Sequence, residues 1–121
     1  LETLIFGIDL KPGDEVIVSN QNYGRMINAW KQRVRREGIV LKEISFPVPA
    51  TSAQVIVDAF AAAITPRTRV IEVTHITNLT GQILPVKEIV AMARAKNIEV
   101  FIDGAHAFAQ FPFTRDELGA D

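Results

Sequence analysis

The spacing of apolar residues changes several times along the chain, and each change predicts an element. Between Leu1 and Leu10, Leu4, Ile5 and Ile8 fall three or four apart, the spacing of one helical face, with no capping residue before them. Lys11-Pro12-Gly13-Asp14 then reads as a turn, because Pro presets one backbone angle and Gly supplies the unusual one. Glu15 to Asn20 (EVIVSN) is a short β-rich run. From Arg25 to Glu37, Met26, Ile27, Trp30 and Val34 form one stripe with Arg and Lys on the opposite face. Trp30 is assigned to the core side of that helix, and Gly38 stands where a helix stops. Ile39 to Phe46 predicts a second strand, broken by Pro47 and Pro49, which cannot donate to a ladder.

Thr51-Ser52-Ala53-Gln54 matches a capping box, in which a hydroxyl and an amide each satisfy an orphan backbone donor. The helix it opens runs to Ile64 and ends near Thr65-Pro66. Arg69 to His75 is a third strand, and Thr77 to Gln82 (TNLTGQ) a polar loop. Pro85 suits the first turn of a helix over Val86 to Lys96, with Ile89, Val90 and Ala93 on one side and Asn97 at its end. Ile98 to Ile102 (IEVFI) is the most apolar strand and runs into Asp103-Gly104-Ala105-His106. Asp116 to Asp121 (DELGAD) follows a loop, with no closing element expected, so both ends read as cuts from a longer chain.

Strands and helices therefore alternate, the pattern of an α/β domain with a mostly parallel sheet in a three-layer αβα arrangement, here incomplete. Runs such as EVIVS and IEVFI suit strands buried on both faces. Composition narrows the function. The chain has 121 residues, and 13 Lys+Arg against 14 Asp+Glu give a net charge of −1, so no strong field selects nucleic acid or an anionic membrane. There is no cysteine, hence no disulfide, thiolate nucleophile or Cys-ligated zinc within these residues. No apolar run reaches the ~20 residues of a bilayer span. Neither a Gly-rich phosphate fingerprint nor a Gly-x-Ser-x-Gly elbow is present.

In open α/β sheets ligands gather at the carboxyl ends of the strands. The segments there are Asn20 to Gly24, Phe46 to Ala50, His75 to Gly81 and Asp103 to His106; the second, FPVPA, is apolar and reads as structural. Asp103 ends an apolar strand before a Gly. It suits a metal, a phosphorylation site or a cationic ring nitrogen, or else a plain Asp-Gly turn whose carboxylate caps Ala105 to Gln110. His106 lies one turn on, either facing the same pocket or packed at a helix start. His75 reads as a hydrogen-bonded structural residue, Asn78 as an Asx-turn residue or a ligand-facing amide, and Tyr23 as a stacking ring or a surface tyrosine. The spacing of His75, Asp103 and His106 matches no helical His pair, so no metal is expected.

Two ordered stretches, KPGDEVIVSNQNYGRMINAW and ITPRTRVIEVTHITNLTGQILPVKEIVAMARAKNIEVFIDGAHAFAQFP, resemble the large domain of fold-type I pyridoxal-phosphate (PLP) enzymes. Within these the chain is similar to the class V aminotransferase family, which includes cysteine desulfurases and isopenicillin-N epimerase-like proteins. The similarity runs from about Leu10 to Asp121 and is carried by the THxTNxxG loop and the DGAH strand end in that order. The resemblance implies that Asp103 pairs with the pyridinium nitrogen and that His106 lies by the phenolic oxygen. It further implies that Asn78 reaches that oxygen or the substrate carboxylate, and that Tyr23 stacks on the ring. A carboxylate beside the nitrogen keeps it protonated, and the cofactor is an electron sink. The imine-forming lysine of the family lies beyond the DGAH strand and its phosphate-holding turn before Leu1; Lys87 and Lys96 both precede Asp103.

The resemblance therefore implies that residues 1–121 are the central part of a PLP-binding large domain, inactive alone and at best weakly cofactor-binding. The intact enzyme would act on an amino acid or amine by transamination, epimerisation or elimination, and Tyr23 with His106 favours the epimerase-like branch. A homodimer in the cytoplasm, with no nucleic-acid or membrane partner, completes the expectation. One alternative is a cysteine desulfurase or related lyase. The other is a flavodoxin-like or receiver-like binding domain with Asp103 as phosphate acceptor. That domain calls for an acidic pair where Asn20-Gln21-Asn22 stand.

Overall fold

The computed structural model describes residues 1–120. Its elements are α1 (Glu2–Gly7), β1 (Glu15–Ser19), α2 (Gly24–Glu37), β2 (Val40–Ile44), α3 (Ala53–Ala63), β3 (Thr68–Thr74), α4 (Val86–Arg94), β4 (Glu99–Asp103) and α5 (Arg115–Leu118). The four strands pair in parallel in the order β2-β1-β3-β4. Neighbouring residues alternate between two cores, as a strand's period of two demands. Val16, Val18, Val70 and Phe101 pack with Ile5 of α1 and with Ile27 and Trp30 of α2. Ile17, Ile71, Val73 and Val100 pack with Ile56 and Phe60 of α3 and with Ile89 and Val90 of α4. The expected three-layer α/β architecture is thus present, with a parallel sheet covered on both faces.

The strand order also fixes where ligands belong. From β1 the chain moves outward to β2, then crosses back over β1 to β3. The order therefore reverses between β1 and β3, and the carboxyl ends of those two strands flank a topological switch point.

At the opposite, amino edge, Glu15 is 1% exposed and ties three strands together. It accepts from Lys42 Nζ of β2 at 2.8 Å, from Thr68 Oγ1 of β3 at 3.2 Å, and from Arg67 Nη2 and Thr65 Oγ1 of the preceding turn at 3.1 and 2.5 Å. Burial pushes its carboxyl up, but the hydrogen bonds from Lys42, Thr65 and Arg67 outweigh it and hold the pKa at about 2.

Several local expectations need correction. The first helix is shorter than Leu1 to Leu10, because Ile8 turns extended (φ −69°, ψ 134°). Of the expected face only Ile5 is fully buried, while Leu4 is 50% exposed. Arg33, expected on the polar face of α2, is buried: its Nη1 donates to the Ile5 and Ile8 carbonyls at 2.7 and 2.9 Å, capping the end of α1, and it also pairs with Glu37. Ser52, not Thr51, caps α3 by accepting from Val55 N, and Gln54 donates to Asp58 Oδ1 instead of closing a box. Pro85 is the cap of α4, one residue before its first turn. The C-terminal stretch does contain an element: Thr114 and Glu117 form a capping box on α5, and Gly119 ends it at φ 67°. Asp121 lies outside the described residues.

Candidate active site

Parallel strands deliver the loops after β1, β3 and β4 to one edge, side by side. The β3–β4 register places Thr74 opposite Asp103, and His75 N donates to the Asp103 carbonyl at 2.9 Å. Asp103 is half-buried, and its Oδ1 accepts from Ala105 N at 3.1 Å, the local Asp-Gly turn. Its Oδ2 has no partner among the described residues. The following segment is a tight turn rather than a capped helix: Ala107 N and Phe108 N both return to the Gly104 carbonyl, and Ala109 sits at φ 61°. His106 projects from that turn, exposed, so it does not pack at a helix start.

Tyr23 is the first cap residue of α2, on the loop after β1, and its side chain is 46% exposed. Asn78 is exposed in the 77–82 loop. That loop is closed from inside by Thr77, whose hydroxyl pairs with Thr80 Oγ1 at 2.5 Å and accepts from Gln82 N at 3.2 Å. The fold therefore brings Tyr23, Asn78, Asp103 and His106 to a single edge around the switch point. No hydrogen bond, ion pair or ring contact joins them among the described residues; Tyr23, Asn78 and His106 are exposed and Asp103 is half-buried. A largely apolar hollow of about 280 Å³ lies beside β4, with His75, Gly104 and Phe113 in its wall.

His75 departs from expectation. Its ring is buried with Nδ1 unpartnered, and it packs edge-on against Phe111 and Phe113 at centroid distances of 5.2 and 4.9 Å. Burial pushes its pKa down. The downstream phenylalanines fold back over the strand end and pack edge-on against the imidazole.

Two buried polar residues behind this edge went unassigned in the sequence. Glu72 is a fully buried carboxylate in the middle of β3 that accepts from Trp30 Nε1 and, at 3.2 Å, from Asn22 Nδ2. Burial pushes its pKa up; the hydrogen bonds from Trp30 and Asn22 oppose this, and the nearby Asp103 charge adds to it. Asn22 is also buried, with its Oδ1 accepting from Ser19 N and Oγ at 3.1 and 2.7 Å. The signal available in the sequence was the acid interrupting the apolar run RVIEVT.

The family model for class-V aminotransferases matches residues 2–121. The isopenicillin N epimerase of Streptomyces clavuligerus is 38% identical over 96 residues, covering 79% of this chain and 24% of the epimerase. A cysteine desulfurase of Yersinia pestis is 32% identical over 112 residues, covering 93% of this chain and 27% of the desulfurase. Among solved structures, the cystine C–S lyase C-DES, in complex with its product cysteine persulfide, superposes with a TM-score of 0.86 at 25% identity, covering 99% of this chain and 32% of the lyase. A second structure of that lyase holds glycine covalently linked to its PLP cofactor. The chain spans about a quarter of the length of the first curated relatives it matches.

Proposed function

The chain belongs to the class-V aminotransferase family, and from that premise we propose that it is the central part of the cofactor-binding large domain of a PLP-dependent enzyme acting on an amino acid or amine. The observation that carries this reading is the uncommitted oxygen of Asp103 at the carboxyl edge, on the strand next to the switch point.

The donor set fits the cofactor. It consists of one anion with a free oxygen, one half-exposed aromatic ring, and an imidazole and an amide that bond to nothing else among the described residues. When bound, PLP supplies the electron sink for bond cleavage at the substrate's α-carbon. Asp103 holds the proton at the ring nitrogen, since an anion in hydrogen-bonding range favours the charged form. Tyr23 would supply the aromatic ring that stacks on the cofactor, a contact worth ~0.5–1.5 kcal/mol beyond burial. His106 and Asn78 are the groups for the phenolic oxygen or the substrate carboxylate. By the family resemblance the imine-forming lysine lies beyond the DGAH strand end, and Lys87 and Lys96 both precede Asp103 in the chain.

Tyr23 together with His106 favours the epimerase-like branch, in keeping with the 38% identity to the epimerase. A C–S bond lyase is the second reading, supported by the fold shared with the persulfide-bound lyase. A cytoplasmic homodimer belongs to the same proposal. A receiver-like domain is set aside, because the position of its acidic pair is held by Asn22, whose side chain is committed to Ser19 and Glu72.

The test is a titration of the full-length protein with PLP. A visible absorption band distinct from the free cofactor is expected, and Asp103→Ala should weaken or shift it. A folded wild-type protein that shows no band refutes the reading.

A further inference from the structure

Glu72 occupies a position where an aliphatic residue is expected, and burying a carboxylate carries a desolvation cost that partners must offset. Its register neighbour on β4 is Phe101, and Val70 and Trp30 belong to the same core. The two groups that bond to it lie on either side of Tyr23. Asn22 precedes it, donating both to the Glu72 carboxylate and to the Glu72 carbonyl at 3.2 Å. Trp30, about two turns into α2, donates to the other carboxylate oxygen. One β3 side chain therefore clamps both the loop that leads into Tyr23 and the helix that leads out of it. The Tyr23 ring itself is half-exposed and has no ring contact of its own among the described residues. Its orientation is left to the backbone, and the backbone there is held by Asn22 and Trp30.

We propose that Glu72 is a positioning residue for the cofactor seat: through Asn22 and Trp30 it fixes the start of α2 so that the Tyr23 ring is presented at the carboxyl edge, with only β3 between its strand and the β4 end that carries Asp103. This rests on the PLP reading and assigns that site a determinant on β3. A stacking ring gains from being immobilised before the ligand arrives, because ordering it on binding would cost affinity. An acid buried between two donors supplies such rigidity, since breaking either bond leaves a buried group unpaired.

The test is a double-mutant cycle on PLP affinity in the full-length protein, read by absorbance titration and by the circular dichroism of the bound cofactor. Glu72→Gln keeps the side chain's size but turns one acceptor oxygen into a donor. It should weaken PLP binding by about three- to tenfold, the range of a ring stack, and reduce the induced dichroism. In a Tyr23→Ala background the same substitution should change neither. Trp30→Phe removes one of the two donors and should follow the same pattern, standing in where Glu72→Gln does not fold. An equal loss in both backgrounds, no loss in either, or failure of both variants to fold overturns the proposal. A wild-type protein that binds no PLP refutes the functional reading instead, so the two failures are distinguishable.

Discussion

Glu15→Gln removes the charge that gathers β1, β2 and the Thr65–Thr68 turn at the amino edge. The magnitude follows from the geometry. Glu15 is 1% exposed, and the hydrogen bonds from Lys42, Thr65 and Arg67 take its pKa from 4.5 to about 2 against the opposing effect of burial. At about 1.4 kcal/mol per pH unit, that drop is worth roughly 3 kcal/mol if unscreened. Its cationic partners are wetter, however: the Lys42 and Arg67 side chains are 28% and 70% exposed. Water around them reduces the expected contribution to about 1–2 kcal/mol. Because the folded pKa lies below the unfolded one, this stability is fully present above pH 4.5 and is lost as the pH falls toward about 2. Denaturant unfolding of wild type and Glu15→Gln, followed by circular dichroism in the full-length protein, measures the difference. The gap should be about 1–2 kcal/mol larger near neutral pH than near the acid end of that window. A gap that stays constant from neutral pH down to that acid limit refutes the argument, because the loss would then be packing or orphaned donors rather than charge.

Two further outcomes follow from buried polar groups. Arg33→Met leaves the Ile5 and Ile8 carbonyls without their donor; it should cost about 2–4 kcal/mol in denaturant melts and make the first ten residues susceptible to protease, whereas unchanged stability would show the guanidinium to be dispensable. His75, whose pKa is pushed down by burial, should titrate by NMR below the ordinary histidine value. Its neutral ring contributes stability above the unfolded pKa of about 6.5, lost as the pH falls, and a midpoint at or above that value would contradict its burial.

The sequence carried the architecture well because most of it is written in apolar period. The alternation of Val and Ile through β1 and β4, the Met26–Trp30 stripe of α2 and the left-handed Gly38 (φ 72°) that ends it are local signals, and each found its element. The positions of Tyr23, Asn78, Asp103 and His106 at one edge followed from order alone, since parallel strands leave no other place for the loops. Three-dimensional partnership was not legible. Arg33 looks like any surface arginine of an amphipathic helix until α1 folds over it. His75 looks like a hydrogen-bonding residue until Phe111 and Phe113 return across it. Glu72 needs Asn22, 50 residues earlier, and Trp30, 42 residues earlier, and no pattern of period two or 3.6 announces such a pairing. The α5 helix, capped by Thr114 and Glu117, was not anticipated, because four residues are too short to show a face.

The two outer strands of the sheet are unlike. β2 carries Lys42 and Glu43 at its centre, and each pairs with a neighbouring element, Lys42 with Glu15 of β1 and Glu43 with Lys31 of α2. β4 has Val100, Phe101 and Ile102 in the equivalent stretch and an apolar hollow at its flank. The two boundary strands of the four-stranded sheet thus differ: β2 spends its charges on its neighbours, whereas β4 leads an apolar run straight into Asp103.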